Sequence, residues 1–179
     1  KSPIYCDNRL LLSYPEEREK VVAHYLQLLK NIDFDIVAGT ATAGIPWAAW
    51  IAAKLQKPMI YVRAKPKDHG KENLVEGKLE KGKRAVIIED LVSSGSSSIA
   101  AVQAVRNGGG IVEDCAAIFT YEMAAAKGNF AAAKCRLHTL TDFSTLMSVA
   151  EQKGYITAEE KEKALAWNKD PEHWTRGER

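Results

Sequence analysis

The sequence predicts an α/β protein built on a mostly parallel central sheet flanked by helices. Short apolar runs alternate along the chain with segments whose apolar residues recur at helical spacing. Most of the short runs are almost continuously apolar, which is typical of strands buried on both faces of a parallel sheet. The chain of 179 residues has no internal repeat and no linker rich in Gly, Pro or Ser. We therefore expect one domain over residues 1–179.

The first half of the chain alternates helix and strand patterns twice. Pro15, followed by two glutamates, is typical of a first helical turn, and apolar residues then recur at helical spacing as far as Ile32. The apolar run 34–39 predicts a buried strand. Small and apolar residues over 45–56 predict a second helix, and the run 58–63 predicts a second strand.

The second half opens with a break in this alternation. Residues 65–77 are polar and contain two glycines, which predicts a loop. The run 84–88 is the clearest buried strand of the chain. A helix through 99–105 is then expected to end at three consecutive glycines, and a further strand is expected over 111–121.

Both ends of the chain differ from this alternating middle. Residues 144–179 carry helix patterns only, with one helix expected over 144–153. The capping-box sequence Thr157–Glu160 predicts the start of another helix that runs to about Trp167. The chain opens at Lys1 without a methionine, so we expect the natural protein to have a segment ahead of it.

The composition argues against several classes of protein. The 25 Lys and Arg against 23 Asp and Glu give a formal net charge of +2, which argues against a general nucleic-acid binder. No apolar stretch is long enough to span a bilayer, and no signal peptide is visible. The three cysteines lie far apart and lack the spacing of a zinc site, which indicates free thiols in a cytoplasmic protein.

One segment, 86–98, combines features of a binding site for a ribose phosphate. An apolar run ends in the adjacent carboxylates of Glu89 and Asp90, and a turn of Ser and Gly follows before a helix begins. Backbone N–H groups at the helix start, serine hydroxyls and a glycine suit a phosphate, whereas the carboxylates suit sugar hydroxyls or Mg²⁺. A Ser/Gly turn alone would more often be an ordinary helix cap. The strand and the acid pair favour the binding site.

This segment resembles the thirteen-residue motif with which type I phosphoribosyltransferases bind 5-phosphoribosyl 1-diphosphate (PRPP). The resemblance implies the fold of that family, with a small hood and a helical C-terminal tail. It places Glu89 and Asp90 on the ribose hydroxyls, with Asp90 among the catalytic residues. The PRPP loop that it implies consists of Leu91, Val92, Ser93, Ser94, Gly95, Ser96 and Ser97.

Residues 63–70 resemble the catalytic loop of one branch of that family, the orotate phosphoribosyltransferases. The match implies that Arg63, Lys67 and His69 contact the pyrophosphate, with Lys67 and His69 as catalytic residues. By its composition alone, this stretch is a basic loop without apolar anchors. Such a loop is suited to close over an anion, or is simply solvated.

Two other segments resemble the same branch. Lys1–Tyr5 is similar to the segment whose aromatic residue lies against the orotate ring, which implies that Tyr5, together with Ser93, contacts orotate. By itself, Tyr5 would more often be a packing residue. Residues 39–46 occupy the place of the pyrophosphate loop; they have the two-glycine spacing of a Walker A motif but not its Lys-Ser/Thr ending. The pyrophosphate-loop residues are Thr42, Ala43 and Gly44.

The resemblance implies the transfer of the phosphoribosyl group from PRPP to orotate, a step of pyrimidine biosynthesis. It also implies Mg²⁺ bound through PRPP, and a homodimer whose subunits share the catalytic loop. The tail resembles the shorter enzymes of Gram-positive bacteria. The family's Leu-Lys-Ser-Gly segment is absent ahead of Lys1, which implies a truncated N-terminal hood. Many relatives also hold orotate with an arginine where this chain has 119–122, which contains none.

Two other functions stay open at this point. Another type I phosphoribosyltransferase, acting on a purine or on uracil, would carry the same PRPP motif, but 63–70 and Lys1–Tyr5 favour orotate. A regulator that senses PRPP without catalysis would keep the fold. The near-neutral charge and the lack of a helix-turn-helix extension argue against a regulator.

Overall fold

The computed structural model of the protein describes residues 5–65, 74–169 and 171. The predicted catalytic residues Lys67 and His69 lie outside the described residues, as does the opening segment apart from Tyr5. Within the described ranges, strands and helices alternate as expected, which confirms the α/β class. None of the helices described there is long and apolar enough to cross a membrane.

Six strands form one sheet in the described part of the chain. They are β1 (Ile36–Thr40), β2 (Met59–Val62), β3 (Val75–Glu76), β4 (Arg84–Val92), β5 (Ile111–Thr120) and β6 (Arg136–Asp142). The order across the sheet is β3-β2-β1-β4-β5-β6. All neighbouring pairs are parallel except β2 and β3. The prediction of a mostly parallel sheet is therefore confirmed.

Helices connect these strands and cover both faces of the sheet. They are α1 (Pro15–Leu29), α2 (Gly44–Leu55), α3 (Ser96–Asn107), α4 (Ala124–Ala132), α5 (Phe143–Gln152) and α6 (Ala158–Lys169). A short 3-10 helix, Asn8–Ser13, precedes α1. The predicted capping box opens α6: Glu160 N donates to Thr157 Oγ1 at 3.2 Å, and Thr157 N donates to Glu160 Oε2 at 2.8 Å.

Side chains alternate along the central strand β4 between two hydrophobic cores. Val86 and Ile88 belong to the core that contains α1, α2, α5 and α6. Ala85 and Ile87 belong to the core that contains α3 and α4. A fully buried Val or Ile side chain contributes roughly 1.5–3 kcal/mol relative to exposure in water. Burial on both faces therefore holds β4 at the centre of the sheet.

The structure contains three secondary-structure elements that the sequence pattern does not predict. The predicted loop 65–77 contains β3, which pairs with β2 for two residues and extends the sheet. The pattern does not reveal α4, because this helix consists mostly of alanine, holds Gly128 near its middle and lacks a clear apolar stripe. It does not reveal β6 either, because that strand is rich in polar residues and lies at the edge of the sheet formed by the described strands, beside β5.

Gly44 lies where α2 begins against β4. A β-carbon at this position would overlap the carbonyl oxygen of Ile88, which belongs to the strand backbone and cannot move aside cheaply. Glycine therefore allows a closer approach of α2 to β4 than any other residue would. The contact brings the start of α2 beside the end of β4.

Gly44→Ala is expected to lower the free energy of unfolding by roughly 1–3 kcal/mol, the usual cost of adding a methyl group to a packed site. Gly128→Ala is the matched control, because nothing lies within 4 Å of a β-carbon there. Gly128→Ala is not expected to lower the free energy of unfolding, because alanine is favoured over glycine in a helix interior by roughly 0.5–1 kcal/mol. Urea denaturation followed by circular dichroism measures both variants. A Gly44→Ala variant as stable as the wild type would contradict the close contact.

Candidate functional site

The carboxyl ends of β1 and β4 form the kind of crevice in which open α/β sheets bind ligands. The two strands are neighbours, but the chain leaves β1 towards β2 on one side and later reaches β4 on the other. Loop 41–43 follows β1, and loop 93–95 follows β4. The loops predicted for the pyrophosphate and the 5′-phosphate are therefore brought to the same edge of the sheet.

The loop after β4 packs against α4 and carries polar groups on its exposed side. Gly95 has φ +79° and precedes α3, and a β-carbon there would also lie 2.9 Å from the ring of Phe130. Asn129 of α4 donates from Nδ2 to the carbonyl of Ser94 at 2.9 Å. The hydroxyls of Ser94 and Ser96 are 3.0 Å apart. The first N–H groups of α3 have no partner within the helix, so they are suited to an anion.

The loop after β1 is anchored to the neighbouring strand β2. Ala41 N donates to the carbonyl of Val62 at 2.8 Å, and the peptide bond between Ala41 and Thr42 is cis. Thr42 is exposed, whereas Gly44 is buried against β4. The structure thus places the predicted pyrophosphate residues Thr42, Ala43 and Gly44 at the β1 side of the crevice.

Glu89 lies beneath the loop and not in the open crevice, with 5% of its surface exposed. Its Oε2 is 3.3 Å from the hydroxyl of Ser98 and 3.5 Å from that of Ser97, and its Oε1 accepts a 3.1 Å bond from Asp90 N. Burial, a hydrogen bond with the Asp90 side chain and the charge of Asp90 together raise the pKa of Glu89 to about 8. Burial therefore favours the neutral form of this carboxyl.

Asp90 is half-buried at the mouth of the crevice, next to the first described residues of the chain. Its backbone carbonyl accepts a 2.8 Å bond from Asn8 Nδ2, which ties the 3-10 helix to the end of β4. Cys6 N donates to the Tyr121 hydroxyl at 2.9 Å, which makes a second tie just beyond the end of β5. The chain around residues 6–8 is therefore held against the crevice.

Tyr5 is 71% exposed, so it is not a core packing residue. Its hydroxyl accepts a 3.2 Å bond from Arg9 Nη2, and Arg9 is in turn paired with Asp7 at 2.6 Å. Ser93 is also exposed, in the loop after β4. Both predicted orotate residues are accessible, and their contact with orotate stays a prediction.

Arg63 lies just beyond the end of β2. Its N–H donates to the carbonyl of Leu74 at 2.9 Å, and its Nη1 is 3.7 Å from Glu76 Oε1. Residues 63 and 74 therefore lie side by side, with Lys67 and His69 between them in sequence. The contacts predicted for Arg63, Lys67 and His69 with pyrophosphate stay predictions.

Three residues that support the crevice, Asn8, Tyr25 and Asn129, are not marked for that role by the sequence. Asn8 and Asn129 reach the crevice from elements that the pattern does not predict. Tyr25 belongs to the apolar stripe of α1, which marks it as a core residue, but its hydroxyl also donates to the Glu89 carbonyl at 2.7 Å. Ser98 is fully buried and contacts the Glu89 carboxyl. The contacts of Asn8, Asn129 and Tyr25 join parts of the chain that are far apart in sequence, whereas Ser98 is close to Glu89 in sequence.

Comparison with known proteins shows the enzyme class to which the fold belongs. Residues 15–131, more than half of the chain, match the family model of the phosphoribosyl transferase domain. The crystal structure of orotate phosphoribosyltransferase from Aeropyrum pernix has a TM-score of 0.76 and 29% identity, and the match covers 87% of this chain and 86% of that one. The fold and the crevice are those of a phosphoribosyltransferase.

Relatives of higher sequence identity show the branch of the phosphoribosyltransferases to which the chain is similar. The orotate phosphoribosyltransferase of Coxiella burnetii is 58% identical over 175 residues, which are 97% of this chain and 84% of the relative. That of Bacillus cytotoxicus is 49% identical over 173 residues, which are 96% of this chain and 82% of the relative. The chain belongs to the orotate phosphoribosyltransferase family, as its motifs predict.

The buried carboxyl of Glu89 leads to a prediction about stability and pH. A carboxyl whose pKa is raised by folding binds more protons in the native state than in the unfolded state. Its contribution to the free energy of unfolding therefore falls as the pH rises from about 5 to 8. Glu89→Gln removes this titration, so the stability of the variant relative to the wild type is expected to increase across this range. Urea denaturation at each pH measures the difference.

Glu159→Gln on the exposed face of α6 is the control for that experiment. The hydrogen bond and charge of Lys163 lower the pKa of Glu159, so folding favours the ionised form of this carboxyl and not the neutral form. The difference between the control and the wild type should be constant from pH 5 to 8. A constant difference for Glu89→Gln as well would contradict a protonated carboxyl at this position.

Proposed function

We propose that this chain transfers the 5-phosphoribosyl group from PRPP to orotate, with orotidine 5′-monophosphate and pyrophosphate as products, in pyrimidine biosynthesis. The observation that carries the proposal is the crevice between β1 and β4, where an acid pair and a Ser/Gly loop lie at a reversal of strand order. Membership of the orotate phosphoribosyltransferase family supports the same reaction.

The end of β4 is suited to hold the ribose 5-phosphate half of PRPP. In this proposal the 5′-phosphate lies over loop 93–95 and accepts hydrogen bonds from the first N–H groups of α3 and from serine hydroxyls. Asp90, half-buried at the mouth, accepts hydrogen bonds from the ribose hydroxyls. Both contacts hold the sugar still while the bond at C1′ changes.

The reaction needs no nucleophilic side chain. Orotate N1 loses its proton and forms the new bond to C1′. The bond from C1′ to the pyrophosphate oxygen breaks with its electron pair leaving on the pyrophosphate, which can take up that proton. Positive charge develops on the ribose, and negative charge on the leaving group. Lys67, His69 and Arg63 are proposed to stabilise the pyrophosphate, because fixed cations are an effective means of lowering such a barrier. Loop 41–43 is proposed to hold the same group from the β1 side.

Mg²⁺ is the proposed cofactor, held through PRPP. No group of three or more His, Cys, Asp or Glu side chains in the described parts of the chain could hold a metal ion by itself. The exposed part of Asp90 and the loops on both sides of the crevice suit an ion that arrives with a diphosphate. When bound, Mg²⁺ would offset the negative charge of the leaving pyrophosphate.

Orotate recognition, assembly and location complete the proposal. Tyr5 and Ser93 are proposed to contact the base, and both side chains are exposed beside the crevice. We infer a homodimer in which the catalytic loop reaches the neighbouring subunit, as the family resemblance implies. A cytoplasmic location is supported by the cysteines Cys6, Cys115 and Cys135, which are all unpaired.

A spectroscopic assay with PRPP, Mg²⁺ and one base at a time tests the reaction. The absorbance of orotate is expected to fall only when all three components and the enzyme are present. Adenine, hypoxanthine, guanine and uracil serve as alternative substrates under the same conditions. Turnover of a purine or of uracil without turnover of orotate would overturn the proposal, and binding of PRPP without any turnover would favour a PRPP-sensing regulator.

Lys67→Ala is expected to lower kcat by about 10²-fold or more, a typical cost of losing an electrostatic contact with the transition state. The melting temperature should not change. Lys78→Ala is the matched control, because Lys78 is exposed and pairs with the nearby Glu80 at 2.7 Å. Near-normal turnover of Lys67→Ala would remove Lys67 from the mechanism.

A further inference from the structure

We propose that Tyr121 is a positioning residue for the base: its hydroxyl holds the backbone at Cys6 and thereby places Tyr5 at the crevice. The inference rests on the proposed function, in which Tyr5 contacts orotate. Tyr121 itself would not touch the base. Its role would be to fix the segment that does.

The first argument is the place at which Tyr121 meets the start of the described chain. Cys6 N donates to the Tyr121 hydroxyl at 2.9 Å, and this N–H belongs to the peptide bond that joins Tyr5 to Cys6. Asn8 Nδ2 donates to the Asp90 carbonyl at 2.8 Å, two residues further along the chain. Of the hydrogen bonds described for residues 5–8, these two reach the ends of the central strands. The bond to Tyr121 is the nearer one to Tyr5, so it sets the position of the Tyr5 backbone.

The second argument is that packing does not fix Tyr5. Tyr5 is 71% exposed, and its hydroxyl accepts a 3.2 Å bond from Arg9 Nη2 in the same segment. Arg9 is paired in turn with Asp7 at 2.6 Å. These contacts hold the segment to itself and not to the sheet. The position of Tyr5 relative to the crevice therefore depends on the bonds made by Cys6 and Asn8.

The third argument is that the Tyr121 hydroxyl has a rigid support. Tyr121 is 5% exposed, and its N–H donates to the Val92 carbonyl at 2.9 Å, at the end of β4. The centroid of its ring lies 5.1 Å from that of Phe119, 5.7 Å from that of Phe143 and 6.0 Å from that of Trp167. Favourable aromatic pairs have centroid distances in this range. The ring is therefore packed between β5 and the two tail helices, α5 and α6.

The fourth argument is charge. Burial is the largest of the causes that raise the pKa of Tyr121, so its hydroxyl is neutral at neutral pH. The titratable groups that act on it are Cys6 and Tyr5, and burial also raises the pKa of the Cys6 thiol. A phenol oxygen can accept a hydrogen bond from a backbone N–H without carrying a charge. The bond thus fixes the segment without placing a negative charge beside an anionic base.

Hydrogen exchange followed by NMR measures the bond between Cys6 and Tyr121 in the absence of any substrate. Tyr121→Phe keeps the ring and removes only the hydroxyl, so the Cys6 amide should exchange about tenfold faster than in the wild type. Tyr155→Phe is the matched control, because it makes the same change at a side chain that is 78% exposed. In the control, the Cys6 amide should exchange at the wild-type rate. The same rate in Tyr121→Phe would overturn the inference.

Steady-state kinetics measures the consequence for the base. Tyr121→Phe should raise the KM for orotate about three- to tenfold, the usual effect of one hydrogen bond, and leave the KM for PRPP within about twofold of the wild type. The value of kcat should change less than the KM for orotate, because the segment holds the base alike in the ground state and in the transition state. An equal rise of both KM values, or a change in melting temperature alone, would show a merely structural role and overturn the inference.

A double-mutant cycle with Tyr5 tests whether Tyr121 acts through that residue. Tyr5→Ala removes the ring that Tyr121 is proposed to place. Adding Tyr121→Phe to this variant should therefore raise the KM for orotate by less than about twofold more. If Tyr121→Phe keeps its full effect without the Tyr5 ring, the hydroxyl acts on the base in another way, and the positioning role is wrong.

Failure of the proposed function and failure of this inference give different results. A wild type that turns over a purine or uracil in place of orotate would end the proposed function, and the same comparison of KM values with that base would then decide the inference. A wild type that binds no base would end both. The hydrogen-exchange experiment needs no turnover, so it tests the bond between Cys6 and Tyr121 in every case.

Discussion

The rest of the structure depends on one constraint on β4: the strand must be apolar along its centre and acidic at its carboxyl end. This strand lies at the centre of the sheet, where Val86 and Ile88 pack into one core and Ala85 and Ile87 into the other. The same strand then ends in two acids at the crevice. An apolar centre keeps the strand rigid, and the acids at its end therefore have a defined position. Loops 41–43 and 93–95 lie beside that end, as do the starts of α2 and α3. The hydrogen bond from Asn8 attaches the 3-10 helix to the same end.

The two acids at this end lie in different surroundings. Glu89 is buried among the serines of α3, where its neutral form is favoured. Asp90 is half-exposed at the mouth of the crevice. An isolated pair of carboxylates beside a phosphate site would repel the ligand, but a buried neutral acid does not. Burial of Glu89 thus allows an acidic motif to lie next to a loop that is suited to an anion.

Much of the architecture follows from patterns within single segments. The alternation of apolar runs and helical stripes, the Pro15 helix start and the capping box at Thr157 are local features, and the structure confirms the elements that they predict. The sequence pattern does not predict α4 or β6, because their residues are small or polar and they are stabilised by contacts with the rest of the fold. The short strand β3 is missed for the same reason, since its two residues form a strand only by pairing with β2.

The sequence by itself determined the kind of fold, the family and the segment of the candidate site, because an apolar strand, two acids and a Ser/Gly turn are contiguous in the chain. Only the tertiary structure decided that Glu89 is buried and that Asp90 is half-buried. It also decided that Asn8 would hold the Asp90 carbonyl across 82 positions, and that Asn129 would hold the loop across 35. Such contacts depend on packing between distant segments, and no local pattern of residues records them.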